Sequence, residues 1–161
     1  MNIRKACKED IPEIVELWWD MMQYHKKYQE KIYKPKPRKK FDKIVTSKIK
    51  KDLKKQDTIL LVAEEKEIIG FILAKTEKEE YKRFKHDLRG YVGELIVKKE
   101  NRNKGTGKAL LQKALQELKK KGVTLTDIYV DKRNKRAIKL YEKTGFKKVL
   151  DLMIIDMEEK T

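Results

Sequence analysis

The stretch from Gly93 to Leu118 constrains this chain more than any other. An apolar run, Tyr91 to Val97, ends in a polar turn, Lys98 to Lys104. Gly105 and Gly107 follow, spaced by one residue, and Leu111, Ala114, Leu115 and Leu118 then recur at helical spacing. This predicts a buried strand, a glycine turn and an amphipathic helix in immediate succession. Glycines let the backbone approach a ligand closely. A helix start offers unpaired N–H groups and the positive end of the dipole, a combination suited to phosphate. The spacing is neither a P-loop, since no Gly-Lys-Ser/Thr follows, nor GxGxxG, since Ala109 and Leu110 stand where a third glycine belongs. The glycines alone leave two readings open: an anion cradle, or a strand-to-helix turn that is tight for steric reasons.

The rest of the chain alternates between the two periods. Ile3 to Ala6 predicts a first strand. Asp10 is placed to cap a helix with Pro12 in its first turn. Ile11, Ile14, Val15, Trp18, Met21, Met22 and Tyr28 carry the apolar face of that helix, and Trp19 falls off it. Tyr33 to Lys40 is a basic, proline-containing break. Phe41, Ile44, Val45, Ile49 and Leu53 mark a second amphipathic helix. Thr58 to Ala63 and Ile68 to Ala74 predict an antiparallel hairpin, and Lys75 to Leu88 a strand end plus loop. After the central helix, Gly122 is the expected stop. Asp127 to Val130 predicts a fifth strand, and Asn134 caps a helix, Lys135 to Lys143, that Gly145 ends. Phe146 to Leu150 and Leu152 to Met157 are expected to be the last two strands. This order argues for an α/β (α+β) sheet of about seven strands, mixed but mostly antiparallel, with helices on both faces. A length of 161 residues suits one domain, 1–161.

Charged residues make up 42% of the chain, and the net charge is +16. Periodic apolar residues argue against disorder. The excess of lysine fits a solvated face, a small polyanion, or nucleic acid bound through phosphates. Abundant Lys and Glu with scarce Gln resemble a hyperthermophile composition. Cys7 is the one cysteine, which excludes an intrachain disulfide and suits a reducing compartment. No apolar run approaches the ~18 residues of a membrane span, and Met1 to Asp10 lacks a signal-peptide core, so a cytoplasmic location is expected. His25 and His86 have no metal-ligand spacing, and no metal site is expected. His25, beside Tyr24 and Tyr28, is a packing residue or a lining residue of an acceptor pocket.

Two motifs together carry a resemblance. Arg102-x-x-Gly105-x-Gly107 resembles the Arg/Gln-x-x-Gly-x-Gly/Ala signature of the GNAT superfamily of N-acetyltransferases. Asn134-x-x-Ala137-x-x-x-Tyr141-x-x-x-Gly145-Phe146 resembles a second and more specific segment of that family. The two fall in the family's order, and the likeness covers nearly the whole chain. It implies transfer of an acetyl group from acetyl-CoA to a primary amine by direct attack. The alternative is a basic nucleic-acid- or ribosome-associated module that keeps the fold with little catalysis.

The resemblance also implies a site. Acetyl-CoA would lie where two parallel central strands splay apart, here Tyr91–Val97 and Asp127–Val130. Leu95, Ile96 and Val97 would lend backbone groups to the pantetheine arm, and an N–H near Ile96 or Val97 would meet the oxyanion. Arg102, Asn103, Lys104, Gly105, Thr106, Gly107 and Lys108 would surround the pyrophosphate. Asn134 would bond to the cofactor arm or serve only as a helix cap. Tyr141 would be the general acid. Glu94 is the nearest carboxylate for a general base, whereas some relatives place theirs where this chain has Tyr91 and Gly93. Strand alternation turns Glu94 away from the cleft, a bulge would reverse it, and proton loss through water is the alternative. The amine is a protein or small-molecule group, and a monomer or a homodimer fits equally.

Overall fold

The computed structural model describes residues 1–26, 34–78 and 88–155. Tyr28, Tyr33, His86, most of the loop expected over 75–88 and the end of the last expected strand lie outside them. The strands are β1 (Asn2–Lys5), β2 (Thr58–Glu64), β3 (Ile68–Lys78), β4 (Leu88–Val97) and β5 (Leu125–Ile128). The helices are α1 (Ile11–Lys26), α2 (Arg38–Asp52), α3 (Thr106–Lys120) and α4 (Lys135–Thr144). The strands form one sheet in the order β1-β2-β3-β4-β5. All neighbours are antiparallel except β4 and β5, which are parallel.

The sheet has a core on each face. Ile14, Trp18, Val45 and Ile49 of α1 and α2 bury Val62, Phe71 and Ile96 on one side. Leu110, Leu111, Ala114 and Leu118 of α3 bury Leu61, Ile72 and Val92 on the other. Cover on both faces explains why Thr58–Ala63 is a nearly continuous apolar run rather than an alternating one. Trp18 lies in the core, 5.8 Å from the Phe71 ring. Trp19 fills the seam between α1 and α2, with its ring 5.1 Å from Phe41 and the Arg38 guanidinium 5.0 Å over it. No helix among the described residues is long and apolar enough to cross a membrane.

Three expectations need correction. The described residues contain five strands rather than about seven. Residues 146–155 join no ladder, and Val149, Leu150 and Met153 stand 83%, 91% and 92% exposed. Apolar content gives strand propensity, but a strand exists only with a partner edge, which local pattern does not supply. The fifth strand starts earlier than expected and stops at Ile128, leaving Tyr129 and Val130 outside it. Asp10 is not the cap of α1. It closes a short 3₁₀ turn, Lys8–Asp10, where its buried carboxylate accepts from the Cys7 N–H (2.8 Å) and from both Nη atoms of Arg4 (2.7 and 2.9 Å).

That arrangement gives a stability prediction. Arg4 holds the Asp10 carboxyl below its usual range. Asp10→Ala should therefore destabilise the fold by about 2–3 kcal/mol at neutral pH, the scale of hydrogen bonds to a charged group. A depressed value means the contribution is fully present above the unfolded pKa, about 3.9, and is lost as pH falls from there through the lower folded-state value. Denaturant melts at pH 7 and pH 3 should show a large difference between the proteins at the first and a smaller one at the second.

Candidate functional site

The site begins with a defect in β4. Leu73 of β3 pairs with Glu94 and the next residue, Ala74, pairs with Val92, so Gly93 is one residue too many. Such a bulge turns the following side chains to the other face. Val92 belongs to the core beneath α3, whereas Ile96, in phase with Glu94, belongs to the core beneath α1 and α2. A regular strand would have put Val92 and Glu94 on one face. The ladder between β4 and β5 runs only from Arg89↔Leu125 to Val92↔Ile128. Beyond it, β4 continues alone on that side through Val97, so the two parallel strands part immediately after the bulge.

The Glu94 carboxyl is pushed up to about 7, chiefly by burial, with a smaller opposing pull from Lys48 on α2. Among the described residues it has no ion-pair or hydrogen-bond partner, and the weak field of Lys48, itself bonded to Asp52, leaves its charge uncompensated. Tyr141 comes from α4 on the other side of the parting strands. Its ring packs edge-on against Phe146 (6.0 Å) and borders the core beneath α3. Its hydroxyl is pushed up to about 12, first by burial and then by the field of Glu94. The structure thus brings a carboxyl able to lose its proton near neutrality together with a phenol that keeps its own.

The glycine turn lies at the open end of the same strand. The chain leaves Val97 through a short 3₁₀ turn, Lys99–Asn101. It then takes left-handed conformations at Asn103 (φ 65°) and Gly105 (φ 88°) before α3 starts. The first helical bond runs from the Ala109 N–H to the Gly105 carbonyl (3.0 Å), so the N–H groups of Thr106, Gly107 and Lys108 have no intrahelical acceptor. A Cβ at Gly105 would have no atom within 4 Å and would stand in open space beside the turn. At Gly107 a Cβ would stand 3.6 Å from Leu140 and 3.7 Å from Val97, ordinary contact distances. This explains physically why the signature requires glycine at the first of these positions but admits alanine at the second. Lys104 and Lys108 are exposed beside the turn, and Thr106 is buried beneath it.

Arg102 braces the turn. Its Nε donates to the Val97 carbonyl (2.9 Å), and its guanidinium lies 5.4 Å over the Tyr24 ring at the end of α1. Asn134 caps α4, its side-chain oxygen accepting from the Ala137 N–H at 3.1 Å, and its Nδ2 is a donor that the cap does not use. Leu95 and Val97 turn toward the core beneath α3 and Ile96 away from it, so what all three offer the opening is backbone. His25 is half-buried next to Tyr24. Burial lowers its pKa, Asp131 works against that, and Arg102 adds to it. No group of three or more His, Cys, Asp or Glu suited to a metal occurs among the described residues.

Sequence reasoning missed Tyr129, Lys48 and Arg136. The pKa of Arg136, in the first turn of α4, is lowered by burial and by the nearby charge of Arg102, which marks a further cation beside the turn. These residues come from separate elements and share no local pattern. A glycine inside an apolar strand was the one available hint of the bulge.

Comparison with known proteins bears on this geometry. A model of the acetyltransferase (GNAT) family matches residues 12–146, from the start of α1 to just past α4. An uncharacterized N-acetyltransferase of Methanocaldococcus jannaschii is 25% identical over 151 residues, 90% of this chain. This chain spans only 60% of that relative's length. Among solved structures, the BH1408 protein of Bacillus halodurans, as a tetramutant, superposes with a TM-score of 0.86 at 18% identity, over 98% of this chain and all of that one. An aminoglycoside 6'-N-acetyltransferase of Acinetobacter haemolyticus gives 0.73 at 15% identity, over 99% of this chain and all of that one. At such identities the structural likenesses speak for the fold alone. The family match extends over most of the chain and includes both the glycine turn and the tyrosine helix, and on that ground the chain belongs to the GNAT acetyltransferase family.

Proposed function

We propose that this chain transfers the acetyl group of acetyl-CoA to a primary amine. The observation that carries this reading is the bulge at Gly93. It leaves an uncompensated carboxyl on the face beneath α1 and α2, whose field reaches the Tyr141 phenol, where β4 and β5 part. The open edge of β4 from Glu94 to Val97 would receive the pantetheine amides. The N–H groups of Thr106 to Lys108, with Asn103, Lys104 and Gly105 shaping the turn, would hold the diphosphate. Bound acetyl-CoA supplies an acyl group already activated as a thioester. The chain's residues supply proton management. Glu94 accepts the proton that an alkylammonium, pKa near 10, must lose before it attacks. Tyr141 keeps a proton available for the departing sulfur.

Equilibrium titration with acetyl-CoA, followed by thiol release in the presence of amines, tests this reading. Saturable binding is expected, and no saturation up to about 1 mM would overturn it. Gly105→Val is the sharper probe of the turn. A β-branched residue at φ 88° is strained by about 1–2 kcal/mol and distorts the turn from which the donors open. Acetyl-CoA affinity should fall by about tenfold or more, whereas Gly107→Ala, which fits, should hold it within about threefold. Equal affinity in Gly105→Val would rule out the turn as the anion site.

A further inference from the structure

The face of the sheet that carries Glu94 holds a second feature, which the mechanism does not use. Tyr91 stands three residues before Glu94, and because Gly93 is the extra residue of the bulge, both side chains lie on the side beneath α1 and α2. Gly93 leaves room there, since a Cβ would sit 3.4 Å from Tyr91 Cε1. The Tyr129 ring leans on Tyr91, with centroids 5.7 Å apart and planes at 56°. Tyr129 is the first residue past β5, at the mouth of the parting strands, and is 76% exposed. The Tyr91 hydroxyl is raised by burial and then by the fields of Glu94 and Tyr129, which ties the three groups into one cluster.

Two facts indicate what this cluster would bind. The Tyr91 ring already attracts a cation, with Lys75 Nζ lying 5.6 Å from its centroid. The charges around it are matched: Lys75 with Glu77 (2.5 Å), Arg89 with Asp127 (2.6 Å) and Lys48 with Asp52. Glu94 is the unmatched charge of this face among the described residues. A group that brings one positive charge completes the set. A group that also carries a carboxylate beside its amine would bring a second negative charge toward Glu94.

We propose that Tyr129 and Tyr91 form an aromatic wall along which an unbranched primary alkylammonium reaches Glu94. The acceptor class is then an alkylamine or a lysine side chain, and not a free α-amino acid. This rests on the transferase reading above and names the acceptor side of that same site. The rings attract the ammonium through their faces and pack against its methylene stem, and Glu94 takes the charge at the end of the path.

Initial rates with n-butylamine, Nα-acetyl-lysine amide and glycine, in wild type, Tyr129→Ala and Tyr129→Phe, test the proposal. Tyr129 is exposed, so its replacement leaves the fold intact. Tyr129→Ala should raise the KM of both alkylamines about 5- to 30-fold, with kcat and the acetyl-CoA KM little changed. Tyr129→Phe, which keeps the ring face, should stay within about threefold of wild type. A preference for n-butylamine over the lysine amide, or the reverse, distinguishes a free amine from a lysine side chain as the source. An unchanged alkylamine KM in Tyr129→Ala, or better use of glycine than of butylamine, would overturn the proposal. Retained acetyl-CoA binding without butylamine turnover would sink the acceptor assignment alone, whereas loss of acetyl-CoA binding in wild type would sink the transferase reading itself.

Discussion

Glu94→Gln should lower kcat by about 10²–10³-fold at pH 8, the scale of a positioned general base, and should make the protein more stable at the same pH. The two effects have one cause. Burial, only weakly opposed by Lys48, pushes the Glu94 carboxyl up to about 7. A base with that value is half ionised at neutrality and strong enough to accept a proton from an amine on its way to attack. The wild-type kcat should therefore rise with pH through a midpoint near 7 and then level off. The Gln variant should lose that limb as well as the rate. Retention of the limb in the variant would assign it to another group and favour proton loss through water.

The stability effect has a definite sign. The folded-state value lies above the unfolded one, about 4.3. The folded protein thus binds this proton more tightly, and the wild type loses stability as pH rises from about 4.3 to about 7. Glutamine resembles the neutral acid and does not titrate. Its advantage should be absent near pH 4 and complete above pH 7, with an upper limit of about 4 kcal/mol from the size of the shift. Denaturant melts at the two pH values measure it directly. A difference between variant and wild type that is the same at both pH values would mean that water reaches the carboxyl and relieves its burial.

Tyr141→Phe carries the second large effect, a fall in kcat of about 10²-fold with little change in the KM for acetyl-CoA. The ring contact with Phe146 and the packing against the core beneath α3 survive in phenylalanine. What is lost is the hydroxyl. Since that hydroxyl is pushed up to about 12, it holds its proton across any pH the protein tolerates, and the wild-type rate should show no alkaline limb below about pH 10. Stability should change little, because the hydroxyl is not a partner in any hydrogen bond among the described residues. Wild-type turnover in Tyr141→Phe would reduce this residue to a packing element of α4.

Much of the fold was legible because its signals are local. The apolar stripe of α1 at Ile11, Ile14, Val15 and Trp18, the unbroken run of β2 and the stripe of α3 follow from period and burial on both faces. The terminators Gly122 and Gly145 take the left-handed conformations expected of them. Misreadings arose where a distant partner decides. Asp10 satisfies a helix-cap pattern, yet Arg4 on β1 claims its carboxylate. Residues 146–155 have strand composition and join no edge. Trp19 was ambiguous until Phe41 and Arg38 of α2 closed over it.

The site divides along the same line. The anion-ready turn was written into the sequence, because a left-handed glycine at 105 and the unpaired donors that open α3 are properties of a few consecutive residues. Asn134, likewise, caps the helix that it precedes. The orientation of Glu94 was undetermined, since alternation pointed it one way and a bulge the other. Only the pairing of β4 with β3 decides between them, and that pairing depends on register across the whole sheet. The same holds for the meeting of Glu94 with Tyr141 and with Tyr129, which lie on α4 and just past β5. Sequence by itself therefore determined a left-handed glycine turn that opens a helix with unpaired donors, and a family. Tertiary structure decided which carboxylate and which rings stand around the space beside it, because side-chain facing is set by non-local hydrogen bonding and not by residue type.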